Sequence, residues 1–368
     1  MKYLTIFSLL AFITLFSSSC DNDFNINDDW ADITVVYGLL DPAADTNWIR
    51  VQRAYLGEAA ASASYGEPDS VYYDTTAISV YLEAYSRGAD GSLGTPVNTI
   101  FLKPDFTSRK LDDGIYSTDD FRLYRTTETI EEDKTYKLVV EKSNAKHPEA
   151  SSITEIVGIQ QSSNSGFRFV LPNPNVIAAR TFNGNLKWYQ SDQAEIYEVD
   201  VYFYYKEVNR QTGAVEHLVQ KLDYTTIEGA QIPADPFETI DVDGSPNNIY
   251  TLLASNLPEL KPNTLRFFKS FTVIIWAGGE DLAKYIDLNR PTEGVNNSKP
   301  EFPDIENGTG LFSSRTSIML DEVAMSQQMA TTYYLSSTLC EKGFAIVTSG
   351  DTCYCERIPG IGPERVCD

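Results

Sequence analysis

The sequence predicts a mainly β protein, built as two β-sandwich domains with short helical insertions and a disulfide-stapled C-terminal tail. Three observations carry this prediction. Tyr and Phe number 22 and 18 among 368 residues, and both fit the half-buried surface of a pleated sheet. Apolar and polar side chains alternate with a period of two in several segments bounded by Gly, Pro, Asn and Asp. Four of the five cysteines are gathered between Cys340 and Cys367. A content of 42% apolar and 22% charged residues sits near the globular average and excludes wholesale disorder, and the length suits two domains with a core each.

Residues 1–19 read as a lipoprotein signal peptide. Lys2 supplies a positive start and Leu4–Phe16 an apolar run too short to span a bilayer. Ser17-Ser18-Ser19-Cys20 then resembles a bacterial lipobox, with Ser17 standing where an aliphatic residue is usual. The resemblance implies that Cys20 is acylated as the first residue of the mature chain, and several acyl chains hold a protein stably on a membrane. Residues 20–30 form an acidic tether. Asp21 and Asp23, directly after Cys20, resemble the export signal of surface lipoproteins in Bacteroidota, which implies the outer face of the outer membrane. Asp21, Asp23, Asn25, Asp29 and Asp32 also fall at EF-hand ligand spacing. Ile26 occupies the position that needs Gly, and Asp32 stands where a bidentate Glu is required, so a solvated tether fits better than calcium.

Residues 31–160 carry the first sandwich. Ile33–Leu40 and Trp48–Leu56 are its first strands. Ile78, Val80, Leu82 and Ala84 alternate with Ser79, Tyr81, Glu83 and Tyr85, and Tyr136, Leu138 and Val140 with Lys137, Val139 and Glu141. The turn Asp112–Tyr116 lies between them, and polar Ala59–Tyr73 reads as a long loop. The G-I-Y turn followed by T-Y-K-L-V-V is similar to Ig-like and carboxypeptidase-regulatory-like modules.

Gln161–Gly166 and Pro172–Pro174 mark a boundary, and residues 161–338 form the second domain. Its L-K-W-Y…Y-E-V-D-V-Y-F-Y-Y resembles strands B and C of a fibronectin type III domain. Trp188 and Trp276 are expected in the core. Tyr197, Val199, Val201, Phe203 and Tyr205 should share one face, with Glu198, Asp200 and Lys206 on the other. L-K-P-N-T-L-R-F-F resembles the lead into strand F, but Arg266 holds the family's Tyr position, so a tyrosine corner is lost. The spacing from Trp188 to Ala277 implies insertions, with helices expected near Ile249–Asn256 and Glu280–Asn289. Asn307-Gly308 is a turn signal feeding a last strand. The glycines there lack the G-K-[S/T] and the helix that a phosphate loop requires.

Residues 339–368 form the Cys-rich tail. With Cys20 acylated, Cys340, Cys353, Cys355 and Cys367 remain, an even number in an exported chain, which reads as two disulfides. Cys353 and Cys355 are too close in sequence to pair well, which leaves 340–353 with 355–367, or 340–355 with 353–367. Zinc prefers ligand pairs separated by two to four residues, and this spacing fits that poorly. Tail glycines and prolines predict a small cap with little core of its own.

Function is less legible. A net charge of −23 disfavours nucleic acid and a polybasic lipid dock. Only two His, His147 and His217, are present, and neither sits in a triad or zinc pattern. Asp241-Val242-Asp243-Gly244 reads as a loop more readily than a calcium turn, and Trp30 and Trp48 are free to serve as stacking platforms. No cofactor or metal is implied. The lipobox and tether, V-V-Y-G-L-L, D-G-I-Y…T-Y-K-L, L-K-W…Y-E-V and N-G-T-G-L-F together resemble uncharacterised Bacteroidota lipoproteins with a domain of unknown function. Such proteins are often encoded beside TonB-dependent receptors. The expectation is a surface-exposed outer-membrane lipoprotein that binds without catalysing, with a TonB-dependent receptor as the partner the resemblance implies. The alternatives are an adhesin or structural surface protein, and a hydrolase that uses paired carboxylates, for which two close acids in a cleft and a raised pKa on one would speak.

Overall fold

The computed structural model describes residues 33–54, 71–87, 93–106, 122–143, 148–159, 166–170, 181–235, 237–290, 304–348, 350–358 and 362–367. The signal peptide, Cys20, Asp21, Asp23, Trp30, the 112–116 turn, His147 and most of the 161–174 boundary lie outside the described residues.

Nine strands form the main sheet. Its order is β13 (Val215–Glu228), β12 (Ile196–Asn209), β15 (Thr264–Gly278), β16 (Gly308–Met325), β1 (Thr34–Leu40), β2 (Asn47–Arg53), β6 (Leu123–Thr126) and β5 (Lys103–Asp105), with β10 (Thr181–Phe182) beside the end of β16. A four-stranded sheet, in the order β4 (Asn98–Phe101), β3 (Ile78–Ser86), β7 (Lys134–Lys142) and β8 (Ala150–Glu155), packs against the β1 end. The expected alternation is realised there. Val36, Leu40, Ile49, Val51 and Phe312 from one sheet meet Val80, Leu82, Leu138 and Val140 from the other in a single sandwich core.

The second core lies under the long strands. On β12, Tyr197, Val199, Val201 and Phe203 are fully buried and Tyr205 nearly so, while Glu198 is exposed, as the period of two requires. They pack with Phe271, Val273 and Ile275 of β15 against Trp188 on β11 (Leu186–Tyr189) and Ile240 on β14 (Thr239–Val242). Those two strands form a small sheet with β9 (Arg168–Phe169). The inserted helices fall where periodicity placed them. They are α1 (Pro246–Asn256), capped by Ser245, which accepts from the Asn248 amide, and α2 (Glu280–Asn289), with two acids in its first turn.

Asn307-Gly308 does lead into a strand, and Asn307 adopts a φ of +53°. That strand is not the last. Two further helices, α3 (Gln327–Leu335) and α4 (Ser337–Glu341), and a sheet of β17 (Ile346–Thr348), β18 (Asp351–Ile358) and β19 (Gly362–Cys367) follow. The tail also gives more to the core than its composition suggests. Leu339 and Phe344 are fully buried, and Phe344 stacks edge-on to Phe203 at 5.6 Å and to Tyr205 at 5.8 Å.

Candidate functional site

Among the described residues the most perturbed carboxylate is Asp304, which sits just before β16 in a cavity of about 570 Å³. The cavity is lined by Tyr85, Lys137, Ser152, Asp281, Asp304 and Glu306, among others. The chain reaches this place because Glu306 pairs with Ser151 on β8 through two backbone bonds, of 3.1 and 2.7 Å, which lay the approach to β16 along the edge of the four-stranded sheet. Ser152 Oγ then donates to Asp304 Oδ1 at 2.9 Å, and the Phe312 amide donates to Oδ2 at 2.5 Å.

Burial pushes the Asp304 carboxyl up to about 6, and the charge of Asp281 adds to the shift. The Phe312 and Ser152 hydrogen bonds and the Lys284 ammonium oppose it. Asp281, in the first turn of α2, is raised chiefly by burial and also by Glu280, against the pull of Lys284. Lys284 bonds Glu280 at 2.6 Å and stands 3.8 Å from Asp281. One carboxyl that holds its proton to about pH 6 beside another acid could serve as acid and base in hydrolysis, or could donate to a polar ligand. The sequence could not single out Asp304, because its shift comes from burial by segments remote in the chain.

A second acidic group lies on the main sheet. Glu198, Asp200 and Asp223 bring one carboxylate oxygen each within 4.8 Å of the others. Two of the three already pair with an ammonium. Lys221 Nζ stands 3.0 Å from Asp200 Oδ1 and 3.0 Å from Asp223 Oδ1, and Trp276 Nε1 donates to Asp200 Oδ2 at 3.1 Å. Burial opposes the Lys221 charge, but the two carboxylates outweigh it and hold the ammonium protonated.

The other predicted residues are dispersed. Cys340 is paired with Cys355 and Cys353 with Cys367, one of the two combinations left open above. His217 is exposed on β13, opposite Lys206. Asp241 binds Lys187 at 2.7 Å, and the Gly244 amide donates to Asn185, so this loop is stitched to β11 and its approach. Trp188 is fully buried in the core. Trp276 is not in that core. It is half-buried on the opposite face of β15, where Asp200 accepts its indole N–H. Trp48 is 38% exposed. Among the described residues no helix is long and apolar enough to cross a membrane. Neither a protein-family model nor a curated protein matches the chain.

Proposed function

We propose that this chain is a lipid-anchored protein of the outer-membrane surface that acts by binding, as an accessory to a TonB-dependent receptor. The observation that carries the reading is the run Ser17–Cys20 followed at once by Asp21 and Asp23, joined to a mainly β body. Acyl chains fix such a body at the membrane, and a rigid sheet presents loops and faces without the ordering cost that weakens binding by flexible chains. The receptor follows from the resemblance of the short motifs, not from any geometry. Protease shaving of intact cells should remove the protein, and Ala at Asp21, Asp23, Asp28 and Asp29 should leave it acylated but protected. Affinity purification from mildly solubilised membranes should bring down one receptor. Unchanged shaving of the Ala variant would refute the export signal, and the absence of a receptor would refute the partner.

The Asp304 cleft favours a second reading, hydrolysis by paired carboxylates. Its carboxyl is raised to about 6 and Asp281 is beside it in charge terms. Turnover of a glycan or ester substrate that disappears in Asp304→Asn would establish this reading. No turnover across such a screen would leave binding alone.

A further inference from the structure

We propose that the face of the nine-stranded sheet turned away from both cores binds a carboxylated sugar, at a cavity between Trp48 and Arg315. This inference rests on the reading that the protein acts by binding, and it names the ligand class. The cavity has a volume of about 330 Å³ and is lined by Tyr37, Leu39, Asp41, Trp48, Leu311 and Arg315, among others. It sits at a step in the sheet. The parallel pairing of β1 with β16 ends at Leu40 and Ser314, and the antiparallel pairing of β15 with β16 begins at Gly278 and Arg315. Leu311 and Arg315 alternate with Phe312, which lies in the first core, so they point to the opposite side.

Arg315 is the decisive residue. It is exposed, and its guanidinium lies over the Trp276 ring at 5.3 Å. Among the described residues no carboxylate or carbonyl accepts a hydrogen bond from it. Other guanidinium groups of the described residues meet carboxylates, as Arg125 does Asp105, Arg266 does Glu207 and Arg290 does Glu228, or carbonyls, as Arg365 does. Arg50 repeats the pattern beside the cavity. It stacks over Tyr37 at 4.6 Å, and its Nε is buried without an acceptor. A guanidinium placed over a ring, with its N–H fork unspent, matches a planar carboxylate in two-point contact.

The remaining lining selects the rest of the ligand. Trp48 is 38% exposed and carries the Arg125 guanidinium over its ring at 5.9 Å, so the apolar face of a pyranose ring would stack on the other face of the indole. Asp41 uses Oδ1 to accept the Ala43 amide at 3.0 Å, and among the described residues nothing donates to its other oxygen. That oxygen would accept a sugar hydroxyl, with the ligand's carboxylate turned to Arg315 at the other side of the cavity. A cation, a stacking face and a hydroxyl acceptor around one small cavity therefore fit a uronic acid better than a neutral sugar or a bare anion.

The test uses the full acylated chain in detergent, titrated with tetrasaccharides of galacturonate, glucuronate and mannuronate and with neutral galactotetraose. Binding is read by calorimetry and tryptophan fluorescence. At least one uronate should bind and should be preferred over galactotetraose by about tenfold or more, the worth of a two-point charged contact. Arg315→Gln should remove that preference, and Trp48→Ala should weaken acidic and neutral sugars alike. Far-ultraviolet circular dichroism and the thermal melting midpoint should match the parent protein in both variants, since both side chains are exposed. Failure of all three uronates at millimolar concentration, equal competition by inorganic phosphate, or unchanged uronate affinity in Arg315→Gln would overturn the site. Cleavage of a bound uronate would instead overturn the non-catalytic reading while leaving the site standing.

Discussion

Arg266 shows how one side chain can replace a motif that the sequence lacks. It stands where the fibronectin type III pattern that this stretch of sequence resembles has a tyrosine whose hydroxyl ties back to the chain. Here the fully buried guanidinium makes such a tie with more donors. NH2 donates to Pro258 O at 2.9 Å, NH1 to Lys342 O at 3.1 Å, and Nε to Glu207 at 2.9 Å. Its backbone also pairs with Gly343 and Ala345. Arg266→Ala should cost about 3–5 kcal/mol, because it leaves buried Glu207 with only the more distant Lys261 ammonium, at 3.8 Å. Replacing both, as Arg266→Met with Glu207→Leu, should recover much of that loss, and urea titration of the parent and these two variants measures it. If the double variant is as unstable as Arg266→Ala, the carbonyl contacts rather than the ion pair hold the site.

Asp304 allows a second prediction at this scale. Its folded-state pKa, about 6, lies above its ordinary value of 3.8, so the folded protein holds the proton more tightly than the unfolded chain. Its contribution to stability is full below pH 3.8 and is lost as pH rises through about 6. The loss is roughly 1–2 kcal/mol once solvent screening is allowed for. Asp304→Asn keeps the acceptor for the Phe312 amide and cannot ionise. The stability difference between parent and variant should therefore shift in the variant's favour between pH 4 and pH 7, whatever the other carboxylates contribute. A flat difference across that range would show that the carboxyl is not desolvated.

Among the elements, the C-terminal cap shows what spacing alone could not decide. Cys353 lies opposite both Ile346 and Cys367, and Cys355 opposite Arg365, so register delivers Cys353 to β19 and leaves Cys355 for Cys340 on α4. Arg365 fastens the last strand by donating to Tyr334 O at 2.6 Å and to Tyr333 O and Phe344 O at 3.0 Å. Peptide mapping of unreduced protein should find 340–355 and 353–367, with no free thiol in that region. Each closed loop spans about 15 residues and should contribute on the order of 3 kcal/mol by limiting the unfolded chain. The other pairing, 340–353 with 355–367, would contradict the β18 register.

What could be read from sequence was local. The strict alternation in β12 and the helical periods of α1 and α2 each follow from a few neighbouring residues. Helices α3 and α4 were missed although each had a cap signal, Ser326 accepting the Met329 amide and Ser336 the Leu339 amide. Trp276 was placed on the wrong face, because its partner Asp200 comes from another strand. Of the Arg315 cavity only Trp48 had a signal in the sequence, and the Asp304 shift had none. Both arise where segments more than a hundred residues apart are brought together.

At the scale of the whole molecule, β16 is the shared member. Gly308–Ser314 pairs in parallel with β1, and residues from Arg315 to Val323 pair with β15. Phe312 enters the first core, and Leu320 and Val323 enter the second. A disturbance of β16 should therefore be felt in both. Gly310 offers a selective one. Its φ is +122°, a conformation open to glycine, and a Cβ there would run into the Val36 carbonyl of β1. The glycines of N-G-T-G-L-F thus serve strand pairing, not anion binding. Gly310→Ala should cost about 2–4 kcal/mol, combining backbone strain with the loss of close β1 pairing. Gly213→Ala is the control. Its φ is also positive, at +71°, but it has nothing within 4 Å, so only the strain of about 1 kcal/mol should appear. Hydrogen exchange followed by mass spectrometry should show faster exchange in Gly310→Ala for β3 and β7 of the first core and for β12 of the second, by similar factors. Acceleration confined to β1 and its neighbours would mean that the two cores open independently despite the strand they share.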